Sequence, residues 1–236
     1  MKKIILTALI YSIPISICAA VQNYRAEVYD VSFKPDRPDF TFQLTEVQSG
    51  SDVKVTGVFK KDNQIMMLEE ALVNEATADV IEYKIDQKQT GESGFVQIKG
   101  NKIKIKFVGH DQVEKNIEIN KPDIFVAPAN FDRWLKKNFT IIKEKKSLVF
   151  DFLVWDKLDT YKFKIKYIGQ VELRGKKMHQ FKMNIDNAFI ATFLDPIIIW
   201  YSLDMSEIQQ YQGLVAVKLG QRPNLKKMEA VVQYFH

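Results

Sequence analysis

The chain is poor in the side chains that carry out chemistry. Its 236 residues hold one cysteine, Cys18, and three histidines, His110, His179 and His236. No histidine stands at metal-ligand spacing from another or from the cysteine, so the sequence offers no zinc signature. A nucleophile elbow of the G-x-S-x-G kind is absent, as is a phosphate-binding loop. The histidines read as solvent-exposed side chains in turns and at the terminus. A formal charge of +5 is far from the footprint of a nucleic-acid binder. The longest apolar run, residues 4–17, is too short to span a bilayer comfortably. These absences point away from an enzyme, and no catalytic residue, metal or cofactor is expected.

That apolar run has another reading. Lys2 and Lys3 precede it, Pro14 breaks it, and Ala19 and Ala20 close it, which is the pattern of an export signal cut after Ala20. The alternative is a lipoprotein signal in which Cys18 is lipidated, but Ile17 is large for that site. Removal of residues 1–20 takes away the cysteine and two lysines and lowers the formal charge from +5 to +3. The expected mature protein is an exported, periplasmic domain over residues 21–236, outer-membrane associated in the lipidated form. It has no disulfide and depends on burial for stability.

What the sequence does have is alternation. In residues 148–168, Tyr161, Phe163, Ile165 and Tyr167 fall on one side and Lys162, Lys164 and Lys166 on the other. That is a strand with one wet face, and the turn at 156–159 joins it to an apolar strand before it. Gly100 and Asn101 sit between a second pair of alternating runs, Ile103, Ile105 and Phe107 facing away from Lys102, Lys104 and Lys106. Gly57 reads as a bulge in its strand. About thirteen strands can be traced this way, with residues 121–128 as a Pro-containing linker between strands of one type.

Two short helices interrupt the strands. Residues 129–138 place Phe131, Trp134 and Leu135 at i, i+3, i+4, with Asp132 near the start and Lys136 and Lys137 near the end. Residues 186–194 have Asp186 as N-cap, and Pro196 ends them before an apolar strand over 197–201. The fold class is therefore mainly β: one strongly curved antiparallel sheet, or a partial or closed barrel, with two helices at one end.

Asp151 is out of place in an apolar strand and needs a charged partner, for which Arg133 and Arg174 are the candidates. The lysine stripes are solvated faces, or attract an anionic membrane surface peripherally. The apolar residues around the helices form either an ordinary core or the wall of a cavity. As a wall, its residues are Phe131, Trp134, Phe189, Phe193, Leu194 and Trp200.

The stretches QTGESG, APANFDRWLKKNF, VFDFLVWDKLDTYKFKI and NAFIATFLDPIIIWY, in a β-rich exported chain, resemble uncharacterised bacterial proteins of the DUF3108 type. More distantly, the architecture is similar to the outer-membrane lipoprotein carrier fold. That resemblance implies an incomplete barrel whose cavity takes an acyl chain. Two functions are thus expected from the sequence: a non-enzymatic envelope protein that binds or carries a lipid or other apolar ligand, or an interaction module whose barrel is filled by its own side chains.

Overall fold

The computed structural model describes residues 21–32, 37–187 and 195–235. Both the predicted export signal, residues 1–20, and most of the second predicted helix lie outside them. Eight strands come first: β1 (Val21–Asp30), β2 (Phe40–Ser49), β3 (Asp52–Lys61), β4 (Gln64–Asn74), β5 (Val80–Gln87), β6 (Glu92–Lys99), β7 (Lys102–Val108) and β8 (Glu114–Asn120). A two-residue strand β9 (Phe125–Val126), a 3₁₀ turn (Pro128–Asn130) and helix α1 (Phe131–Lys145) follow. Then come β10 (Ser147–Val154), a 3₁₀ turn (Trp155–Lys157), β11 (Asp159–Leu173), β12 (Lys176–Ile185), β13 (Ile197–Tyr201), β14 (Ile208–Leu219) and β15 (Lys226–Phe235). Among the described residues α1 is the one α-helix.

The fifteen strands make a single sheet, in the order β8-β7-β6-β5-β4-β3-β2-β1-β15-β14-β13-β12-β11-β10-β9. Neighbours are antiparallel except β9 and β10, so the expected linker at 121–128 contributes a parallel edge. The sheet is strongly curved but not closed: its outer strands, β8 and β9, do not pair. Side chains hold the curl instead. Asn130 is wholly buried; its Nδ2 donates to the Ala78 carbonyl (2.8 Å), and its Oδ1 accepts the Ala127 N–H (2.7 Å). Across the sheet, Gln87 Nε2 donates to the Ala216 carbonyl (2.9 Å). Gln89 makes a matched pair of bonds with the Lys218 backbone (2.7 and 2.9 Å).

Two cores fill most of the concave side. The first is aliphatic: Val53, Val55, Val73, Val96, Ile103 and Ile105 come from β3 to β7, and Val28, Met228 and Val232 from β1 and β15. The period-two pattern puts them all on one face. The second core is aromatic and lies under α1, where Phe150, Ile165, Phe181, Ile199 and Tyr201 of the sheet meet Trp134, Leu135 and Ile142 of the helix. Trp134 stacks on Phe150 with ring centroids 4.5 Å apart.

Several expectations change. The helix predicted for 129–138 starts at Phe131 and runs on to Lys145, because Phe139 and Ile142 continue the same apolar face past Asn138. It ends at Lys146 in the left-handed conformation. Gly57 is not bulged: it stays in register opposite Leu44 and Glu69, and the irregularity falls between Phe59 and Lys60. Asp151 pairs across the hairpin with Lys162 (3.3 Å), not with either arginine, because β10–β11 register sets those two side by side on the outer face. Of the predicted buried set in β11, Ile165 is buried, Phe163 and Tyr167 are half-buried and Tyr161 is exposed. His110 is exposed as expected, but His179 is 3 % exposed. Its Nε2 donates to the Leu203 carbonyl (3.1 Å), its Nδ1 and the Tyr167 hydroxyl share a hydrogen bond (2.8 Å), and burial lowers its pKa, favouring the neutral ring. The stripe Lys102, Lys104 and Lys106 faces Glu118 and Glu114 of β8, which offsets much of its charge.

Candidate functional site: an acidic, aromatic-walled cavity

Between the aliphatic and aromatic cores the concave face is not filled. A cavity of about 460 Å³ lies there, within the range of small-molecule sites. Its wall is built from alternate residues of central strands: Phe42 and Leu44 of β2, Val55 and Phe59 of β3, Val232 and Tyr234 of β15. Phe152 and Phe163 close it from the hairpin side, and Trp155 caps it at the 3₁₀ corner. Trp155 reaches the far sheet over Gly94, where a Cβ would come within 2.8 Å of its ring. Phe131, at the first turn of α1, completes the wall. A second, shallower groove of about 400 Å³ runs over β6 to β8 between Phe95, Lys104, Lys106 and Asn116.

The predicted wall residues are distributed differently. Phe131 lines the cavity. Trp134 is packed one layer back, in the aromatic core. Trp200 is buried on the opposite face of β13 from Ile199 and Tyr201, since adjacent strand residues point to opposite sides. Phe189, Phe193 and Leu194 lie outside the described residues.

The polar groups of the wall are what sequence reasoning missed. Glu69 shares a face of β4 with Met67, Ala71 and Val73, all buried. Its accessible part faces the cavity. Glu69 Oε1 accepts the Tyr83 hydroxyl (2.8 Å), and among the described residues it has no ion pair. Burial pushes this carboxyl up from 4.5 to about 7, against the opposing pull of the Tyr83 hydrogen bond. Gly57 makes room for this arrangement. A Cβ there would lie 3.2 Å from the Phe42 ring and 3.6 Å from Glu69 Oε2. The sequence signal was weak: Glu69 is in phase with Met67, Ala71 and Val73, but the other phase of the strand carries the apolar Leu68 and Leu72 as well.

At the helix end of the cavity a polar network joins α1 to the sheet. Asp132 stands in the first turn, where the helix dipole favours a carboxylate. Its Oδ1 accepts the Tyr201 hydroxyl (2.6 Å) and its Oδ2 pairs with Lys136 (2.8 Å). Arg133 grips Glu46 of β2 with two hydrogen bonds (2.6 and 3.3 Å) and reaches Glu75 as well. Glu46 and Arg133 side chains are 7 % and 19 % exposed, so this pair is largely desolvated. Burial raises the phenols of Tyr83, Tyr201, Tyr211 and Tyr234 well above their ordinary value, and pushes Tyr24 up to about 12.

Among the described residues no nucleophile–base pair faces the cavity. His179 lies in the aromatic core with both ring nitrogens engaged. Among the described residues no three His, Cys, Asp or Glu side chains gather as a metal site. The arrangement can enclose an apolar body and offer it a small number of acceptors.

No protein-family model and no curated protein matches the chain. Among solved structures it is similar to a β-barrel-like protein of the domain of unknown function DUF1849 from Brucella abortus. The two are 8 % identical, with a TM-score of 0.41, over 92 % of this chain and 97 % of that one.

Proposed function

We propose that this protein is a non-enzymatic, exported binding or carrier protein of the cell envelope, with an apolar ligand in the cavity between its two cores. The observation that carries the proposal is the cavity itself. A fold with this many large apolar side chains could have filled the space, as protein interiors ordinarily do. Instead about 460 Å³ stays open behind walls of Phe42, Phe59, Phe152 and Val232. A filled interaction module is the less favoured reading for that reason. A lipid or lipoprotein acyl chain is the narrower form of the ligand, which the likeness to lipoprotein carriers suggests. Residues 1–20 are proposed as its export signal.

The test is native mass spectrometry and organic extraction of protein purified from an envelope fraction, together with titration by the neutral apolar dye N-phenyl-1-naphthylamine. We expect a chain beginning at Val21, a co-purifying small apolar molecule, and saturable dye binding. Leu44→Trp, which narrows the cavity, should remove both while the β signal in circular dichroism persists. A wild type that carries no ligand and takes up no dye would overturn the carrier function.

A further inference from the structure

The wall of the cavity is selective in charge. Glu46, Glu69, Asp132 and Asp156 line it, and among the described residues no Lys, Arg or His side chain does. Three of these acids have cationic partners: Arg133 for Glu46, Lys136 for Asp132, Lys157 for Asp156. Among the described residues Glu69 has only the Tyr83 hydroxyl. A carboxyl held in an apolar wall with no counter-charge is costly when ionised, and a bound cation removes that cost. The surroundings suit a cation that is itself weakly hydrated. Phe42 lies against Glu69 over Gly57, its ring 4.5 Å from that of Phe59 and 6.5 Å, edge to face, from that of Tyr234. Aromatic faces beside a carboxylate are the chemistry that recognises an organic ammonium. An anionic head, by contrast, would meet four acids and no donor of opposite charge.

We propose that the ligand is an amphiphilic organic cation, with an ammonium head against Glu69, Phe42 and Tyr234 and an apolar body along the remaining wall. This rests on the carrier reading above and narrows its ligand class. The free protein holds Glu69 near the midpoint of its titration at neutral pH, so an ammonium has a carboxyl ready to ionise. The titratable groups that face Glu69 are Tyr83 from β5 and Tyr234 from β15, and both phenols stay neutral through this range. Glu46 and Asp132, further along the wall, remain in their ion pairs.

The experiment is calorimetric titration of the mature chain with three probes of one chain length, below micelle formation: decyltrimethylammonium, decanol and decanoate. At pH 8 the ammonium should bind about tenfold more tightly than decanol, and decanoate most weakly. Between pH 8 and pH 6 ammonium affinity should fall about tenfold while decanol affinity stays level. Glu69→Gln should bring the ammonium to the decanol value. Decanoate bound as tightly as the ammonium, or an ammonium-to-decanol ratio unchanged by pH and by Glu69→Gln, would overturn the cation while leaving an apolar ligand in place. If none of the three binds, the carrier function fails with it. The wild-type comparison stands even if the Glu69 variant does not fold.

Discussion

The two halves of the concave face solve burial differently. Under β3 to β7 the core is mainly aliphatic, made largely of β-branched side chains that mesh around Met67 and Tyr83. Under α1 it is aromatic. Phe150, Phe163, Tyr167, Phe181 and Tyr201 interlock by stacked, tilted and edge-to-face contacts, and the helix covers them. The helix covers only its own half. At its start, Phe131 and Asp132, the cavity begins, and Tyr211 packs against both cores along its wall. A side chain's energetic role therefore depends on which side of Phe131 it lies.

The largest effect should come from breaking the filled half. Phe181→Ala, at a site with no exposure, should cost about 3–5 kcal/mol, read as a fall in the urea midpoint. Phe42→Ala, on the cavity wall, should cost about 1–2 kcal/mol, because much of that ring's partner space is already empty. Equal losses would erase the distinction between the halves.

Next in size is the link between them. Arg133→Ala leaves Glu46 buried and unpaired, and should cost about 3 kcal/mol. Glu46→Gln with Arg133→Met should recover part of that loss, as measured by thermal unfolding of the two variants.

Glu69 sharpens the comparison through pH. Its carboxyl titrates at about 7 when folded and at 4.5 when free. Between those values the folded chain holds a proton that the unfolded chain has released. Its contribution is therefore fully present below 4.5 and is lost as pH rises through 7, by up to about 3 kcal/mol. His179, lowered by burial, acts in the opposite sense and weakens the fold as pH falls below its free value. The difference between wild type and Glu69→Gln isolates the first effect, and Glu69→Gln should be the more stable above pH 7. A difference that does not change with pH would mean that Glu69 is solvated. The smallest effect should be Lys104→Ala, at most about 0.5 kcal/mol, since its pairing with Glu118 is exposed to water.

Alternation made the sheet legible. The hairpins at Gly100–Asn101 and at 147–173 follow from residues a reader can count, and Ile103 and Ile105 are as buried as their phase requires. Much of the site was not legible, for three physical reasons. Carboxylates ordinarily mark a wet face, and both phases of β4 carry apolar residues, so nothing in its strand set Glu69 apart from Glu70. The partner of Asp151 depends on a register set by the turn at 155–158, and composition does not reveal it. His179 follows Lys176 and Lys177 in sequence and so looked exposed, yet its strand turns it under Phe139. Phe131 was identifiable because its helix is amphipathic. Trp134, on the same helix, was assigned to the wall because sequence spacing fixes a face and not a depth.

The missing pair in the strand order has a kinetic consequence. A closed barrel can admit a bulky molecule through its wall only by unzipping a ladder of backbone bonds. Here amide side chains bridge the concave face instead: Asn130 ties the segment after β9 to the β4–β5 turn, and Gln87 with Gln89 ties the end of β5 to β14. Releasing such a clasp costs a few side-chain hydrogen bonds and leaves every strand pairing intact. If the cavity takes the proposed ligand, exchange should follow the release of these glutamine and asparagine bonds, while the amide protons of β3 and β15 stay protected.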